Sequence, residues 1–288
     1  MFRYLPLVAF LLMMVLNLSK GFSQHKVTYQ VFQKNGKKSN YGKMIRNLDD
    51  ARVVLFGEIH NSPIAHWLEI EMIKSLQENT NLVVGAEMFD RSQQTAINKF
   101  LDSLVSISQL DSMENLWPNF QTDYAPILAY LQKHSIPLVA TNIPRQYSRM
   151  VYMNGFQSLD TLTSASKSLI APLPIDFDPE LPGYKNIGRM AHGHQTENLA
   201  KAQAIKDATM AHFIIENLPD DGLFFHINGM YHSNNFEGIY WYLKNKQPDL
   251  KIVTISTVWQ EDLDGLQAQN QGLADYIIAI DEDVTRSY

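Results

Sequence analysis

The sequence predicts an α/β fold with a mostly parallel sheet and helices on both faces. Three observations predict it. Short apolar runs alternate with segments of helical period, the order of a βα chain. Most of those runs are apolar throughout, as strands buried on both faces are. Several end in Gly or a polar residue and are followed at once by helix-opening signals.

Residues 27–32 read as an edge strand. Residues 51–57, apolar apart from Arg52 and ending in Gly57, have the pattern of a buried strand. Ser62-Pro63 then opens a helix to about Gln77, with Ser as cap and Pro at the first position. Residues 82–88 form a second buried strand. Helices follow at about 91–104 and 124–134. Residues 137–141 form a third strand, and Pro144 after it starts another helix. Residues 155–194 are rich in Pro, Gly and Asp and have no long period, so the stretch 155–195 reads as an insertion or lid. A long helix covers 196–218. Strands at 223–228, 251–258 and 275–280 complete the sheet, with a helix at 236–246 between the first two of these.

The first 24 residues have the layout of a secretion signal. Arg3 supplies the positive start, Leu5 to Leu16 the short apolar run, and Ser19 to Gln24 a polar stretch before the cut. The run is short for a bilayer span, and no later segment is long and apolar enough to be one. The mature chain, 25–288, is therefore expected as a single domain, exported to the periplasm or the medium. It contains no cysteine, so neither disulfides nor a lipid anchor behind the apolar run are expected. The formal net charge of −6 becomes more negative once Arg3 and Lys20 are removed, which argues against sequence-independent nucleic-acid binding.

Function is read from where polar residues fall. Ligands of open α/β sheets bind beyond the carboxyl ends of the strands. Glu58 and His60 end the first buried strand, Glu87 the second, Asn142 and Arg145 follow the third, and Asn228 and His232 end the fourth. Trp259 and Gln260 end the fifth. The pattern Gly-x-x-His occurs twice, at Gly57-Glu58-Ile59-His60 and Gly229-Met230-Tyr231-His232, each time after a strand. His60, His232, Glu58 and Glu87 together offer N and O ligands suited to Zn, Mn, Fe or Co. A metal held there would acidify a bound water for hydrolysis, with Glu58, Glu87, Arg145 and Asp207 as the catalytic groups. Arg145 is also the natural partner for Glu87, whether the pair is structural or holds an anionic ligand. Gln203, Asp207 and Met210 share one face of the long helix, where Asp207 either orients a site histidine or faces solvent. Tyr184, Tyr231, Met190, His192 and His194 carry side chains able to ligate haem iron.

The ordered set of short motifs resembles the ChaN-like haem-binding uptake proteins, within the superfamily that includes the Tiki proteases and the erythromycin-esterase-like enzymes. The matching pieces are residues 57–61, 85–93, Trp117 with Tyr124-Ala125-Pro126, 139–145, 202–211 and 228–232, in the expected order over residues 45–260. The resemblance implies a three-layer α/β/α fold with a small helical subdomain, haem binding tied to iron uptake, and a homodimer around cofacial haems. It implies a tyrosine haem ligand, for which Tyr184 and Tyr231 are the candidates, with His194 and Arg145 as further haem contacts. The Tiki branch implies instead a metal-dependent hydrolase using both Gly-x-x-His motifs and an acidic residue. A third reading keeps the polar cluster for structure alone.

Overall fold

The computed structural model describes residues 26–190 and 196–288. The predicted signal, residues 1–24, and His192 and His194 lie outside the described residues. Seven strands form the sheet: β1 (Tyr29–Gln33), β2 (Val53–Glu58), β3 (Leu82–Asp90), β4 (Leu138–Asn142), β5 (Leu223–Gly229), β6 (Ile252–Gln260) and β7 (Tyr276–Asp281). Their order is β1-β7-β6-β2-β5-β3-β4. β1 is antiparallel to β7, and the other pairs are parallel. The α/β reading therefore holds, including the edge strand at the amino end.

Helices cover both faces. On one side lie α1 (Tyr41–Arg46), α2 (Pro63–Gln77), α3 (Gln94–Leu101), α4 (Ile107–Met113) and α5 (Ala125–His134). On the other lie α6 (Arg145–Asn154), α7 (Ser164–Lys167), α8 (Pro182–Met190), α9 (Thr196–Glu216) and α10 (Ile239–Lys246). Alternate residues of β2 feed the two cores: Val54 and Phe56 pack with α2, and Val53 and Leu55 with α9 and α10. Every residue of β2 and β5 is buried, so the polar His226 and Asn228 of β5 face protein and not solvent.

Local signals explain most boundaries. The Ser62 side chain accepts from Ala65 N, and Pro63 opens α2 as predicted. Differences are instructive. β3 continues to Asp90 across an irregularity in its pairing with β4, and the next turn is 3₁₀ before α3 begins. α3 stops at Leu101, with Ser103 at φ 61 closing it short of the predicted end. α1 and α4 are too short to show a period; α4 is announced only by the reciprocal Ser106 and Gln109 capping box. The stretch predicted as an unpatterned insertion contains a 3₁₀ segment, α7 and α8. Its Leu159 and Ile170 pack with Ile143, Tyr147 and Val151 of α6 and with Ala202 and Ile205 of α9.

His226 is a buried polar side chain at the centre of the sheet with a structural role. His226 of β5 is fully buried and held between Asn228 and Thr141. Asn228 spends its NH₂ on Gly229 O and Ser233 Oγ, so its Oδ1 accepts from His226 Nδ1, and Nε2 accepts from the Thr141 hydroxyl. This tautomer is neutral, and burial pushes its pKa down to about 4. The unfolded chain takes up the proton near pH 6.5, so the contribution is complete above that pH and lost as pH falls toward 4. About 3 kcal/mol should disappear across that window, measured by denaturant unfolding at several pH values; a slope unchanged in His226→Gln would acquit this residue. Beside it, a Cβ on Gly85 would stand 2.4 Å from the Phe224 ring and 2.9 Å from His226 Cδ2. Gly85→Ala should therefore cost about 1–3 kcal/mol in the same measurement, through overpacking.

Candidate functional site

The two Gly-x-x-His motifs meet because β2 and β5 are neighbours in parallel register, with Gly57 opposite Asn228 and Glu58 opposite Gly229. Their loops therefore leave the sheet side by side. A Cβ on Gly57 would press on the Met230 backbone at 3.0 Å, and one on Gly229 would stand 2.7 Å from His60 Nε2. Glycine at both positions lets the loops touch. The Gly229 position is also 3.5 Å from Glu87 Oε2, so His60, Gly229 and Glu87 converge on one spot.

From that spot a chain of carboxylates and imidazoles runs in both directions. Glu87 is buried; its Oε2 accepts from Gly229 N at 2.7 Å and its Oε1 lies 3.0 Å from His232 Nε2. His232 Nδ1 bonds to Asp207 Oδ1, and Asp207 Oδ2 accepts from the Tyr184 hydroxyl at 2.8 Å. Gln203 lies against the same ring, its amide nitrogen 3.0 Å from Nδ1. Both nitrogens of His232 face carboxylates, so both donate and the ring is an imidazolium. Burial opposes that charge, but Glu87 and Asp207 outweigh it and raise the pKa to about 10. Burial likewise opposes the Glu87 carboxylate; His232, His60 and the Gly229 amide outweigh it and pull its pKa down to about 2.

In the other direction, His60 Nδ1 is 2.6 Å from Glu58 Oε1, and the Tyr124 hydroxyl donates to the same oxygen at 2.7 Å. Burial of His60 works against protonation, but Glu58 and then Glu87 prevail and raise its pKa. Its ring packs edge-on to Trp117 and, unlike the others, is about a third exposed. Behind Glu58 lies a second layer: His66 and Glu69 on α2, and Asn119 and Asp123 from the segment before α5. Glu58, Glu69 and Asp123 are all buried around the His66 ring. His60, Glu58, Glu87 and His232 therefore lie as two pairs that meet at Gly229, with Asp207 supporting His232 and Gln203 packed beside it.

Other expectations are corrected. Arg145 does not pair with Glu87. As the first residue of α6 after Pro144 it is exposed, and Glu87 is satisfied by His232 and Gly229 instead. Gln260 does not reach the site: its side chain binds Gly265 O and Gln267 N, holding the loop after β6. Asn142 donates to Glu87 O, holding β3 where its pairing with β4 is irregular. Tyr184 is buried, and both burial and Asp207 raise its hydroxyl pKa, the opposite of what a tyrosinate ligand needs. Tyr231, by contrast, is 72% exposed on the 3₁₀ turn before His232, and its hydroxyl has no partner among the described residues. Met210 faces the core. The expected metal set of His60, His232, Glu58 and Glu87 is held as two separate pairs, Glu58 with His60 and Glu87 with His232. Among the described residues, metal-type ligand atoms converge instead at Glu58, His66 and Glu69, all within 4.8 Å of one another.

The sequence reading overlooked His66, Glu69, Asp123 and the role of Tyr124. Glu69 was detectable, because it occupies a core position of α2, four residues from Ala65 and three from Met72. Asp123 and Tyr124 were not, because they sit in a π-helical turn, Phe120–Tyr124, that carries no periodic signal.

Among solved structures the chain is similar to ChaN of Campylobacter jejuni in its cofacial haem-binding structure, at 17% identity and a TM-score of 0.67, covering 87% of this chain and 96% of that one. It is also similar to a mutant erythromycin esterase, EreC, in its open conformation, at 12% identity and a TM-score of 0.46, covering 81% of this chain and 77% of that one. A succinoglycan biosynthesis protein matches at 11% identity and a TM-score of 0.49, covering 83% and 89%. No curated protein matches the sequence. The family model described as haem-binding uptake, Tiki superfamily, ChaN, matches residues 44–243. With most of its length so matched, the chain belongs to the ChaN family of haem-binding uptake proteins in the Tiki superfamily.

Proposed function

We propose that this protein binds haem as an exported component of iron uptake. The observation that carries the reading is Tyr231: a tyrosine whose hydroxyl has no partner among the described residues, presented at the carboxyl edge of the sheet directly before the buried His232. A phenol so placed is chemically suited to ligate ferric haem. Arg145 supports it. The guanidinium is exposed at the amino end of α6, with no ion pair among the described residues, and suits a propionate. The haem-binding character of the family and the cofacial haems of the Campylobacter protein agree with this reading. In a homodimer of that type Tyr231 would be covered by the ligand, which accounts for so large an aromatic side chain lying open. Among the described residues no helix is long and apolar enough to cross a membrane.

The second reading is a hydrolase, and a specific observation favours it. Glu58 and His60 stand 2.6 Å apart at a half-open position beside Glu87, a geometry suited to moving a proton. In a metal-dependent version His60 and His232 would take an ion such as Mn, Zn or Co together with Glu58 or Glu87. His232 would first have to leave one of its carboxylates.

Titration of the purified protein with haemin should give a Soret shift that saturates at a simple ratio. Tyr231→Phe should move the Soret maximum and weaken binding. Arg145→Ala should weaken it by at most about fivefold, the scale of an exposed ion pair. No saturable shift in the wild type ends the haem reading. The hydrolase reading predicts that His60→Ala abolishes turnover in a screen of peptide and ester substrates and, in the metal version, metal uptake at this group; turnover surviving the substitution would reject it.

A further inference from the structure

The layer beneath the site has an imbalance of polar atoms. The His66 ring is buried between β2 and the π-helical turn. Its Nε2 faces His60 O at 3.0 Å and Asp123 Oδ2 at 3.4 Å. A backbone carbonyl can only accept, so Nε2 carries the hydrogen. Nδ1 then points at two carboxylates, Glu58 Oε2 at 3.3 Å and Glu69 Oε2 at 3.4 Å. Glu58 Oε1 is already taken by His60 and Tyr124, which fixes the carboxylate with Oε2 aimed at the triad. Glu58 Oε2 and Glu69 Oε1 have no hydrogen-bond partner, although both residues are at most 1% exposed. A protonated His66 would bring one positive charge against three buried carboxylates, Glu58, Glu69 and Asp123, and would still leave these two oxygens without a partner, which is costly at that depth unless a further cation lies between them.

The distances describe what would fit. Donor atoms held about 2.0–2.1 Å from a tetrahedral ion stand about 3.3 Å from one another. The His66–Glu58 and His66–Glu69 separations match that edge and lie at the long limit for a hydrogen bond. The hydrogen bond from the far ring nitrogen to a carbonyl, with a carboxylate behind, is the arrangement that orients metal-binding histidines. One imidazole nitrogen and two carboxylates suit a divalent first-row metal such as Zn²⁺.

We infer that Glu58, His66 and Glu69 form a buried divalent-metal site, separate from the His60, Glu87 and His232 group and sharing only Glu58 with it. The ion there is structural. It neutralises the carboxylates under the site and keeps Glu58 Oε1 turned toward His60. The inference does not rest on haem binding: either can fail alone.

The test uses the full protein, stripped with a chelator and titrated with ZnCl₂ or CoCl₂ alone. About one equivalent should bind, with Co²⁺ giving the intense visible bands of a low-coordinate site, and Zn²⁺ should raise the unfolding temperature. Glu69→Gln keeps the shape of the side chain and should weaken binding by about a hundredfold or more, removing the temperature shift. His66→Gln should do the same, and His232→Ala should leave both intact. Should His66→Gln fail to fold, Glu69→Gln and anomalous scattering from Zn²⁺-soaked wild-type crystals decide the matter. Failure of the wild type to bind overturns the site. So does an equivalent that persists in Glu69→Gln and is lost in His232→Ala, because the ion would then sit in the upper group.

Discussion

Buried charge is the constraint on which the rest of this structure turns. Five carboxylates, Asp207, Glu87, Glu58, Glu69 and Asp123, lie almost out of reach of water at the carboxyl edge of the sheet. Among the described residues none of them faces a Lys or an Arg; each is placed against a histidine. Imidazole suits this role because it has two opposed nitrogens and can join two carboxylates in a line. The result is an alternating series from Tyr184 at one end to Asp123 at the other, broken only where Gly229 lies between Glu87 and His60. Such a series stays folded only while every member is satisfied, so each strand end and helix in contact with it is constrained in position.

Much of this was legible before any coordinates. The strands were visible because burial on both faces demands uninterrupted apolar runs. Glu58, His60, Glu87 and His232 stood out because several strands end in polar residues and because Gly-x-x-His follows two of them. Asp207 and Gln203 were paired by their four-residue spacing on one helix, and the structure puts both against His232. Partner identity was harder. Glu87 was expected to meet Arg145, since a buried carboxylate most simply takes an arginine. Which strand lies beside β3 is a tertiary property, and β5 brings His232 while the arginine turns outward with the start of α6.

The hidden layer escaped for two different physical reasons. His66 and Glu69 belong to the apolar stripe of α2, where a reader of periodicity expects core residues and passes over polar exceptions. Asp123 and Tyr124 come from a turn with five-residue hydrogen bonding, whose geometry follows no period the sequence displays. Both are cases where tertiary packing decided the outcome and local preference did not.

The two ends of the polar series belong to different layers of the molecule. His66, Glu69 and Asp123 are carried by elements on one face of the sheet, whereas Asp207 and Tyr184 are carried by α9 and α8 on the other. The series therefore crosses the sheet edge like a gauge wire strung between two plates. Helix layers that slide against a sheet do so by small shear steps. Any such slide would change hydrogen-bond lengths only in the half of the line that the moving layer carries. Across Gly229 the two halves feel each other through charge alone, Glu87 and His232 acting on His60, so the sheet edge joins the layers electrically where it separates them mechanically.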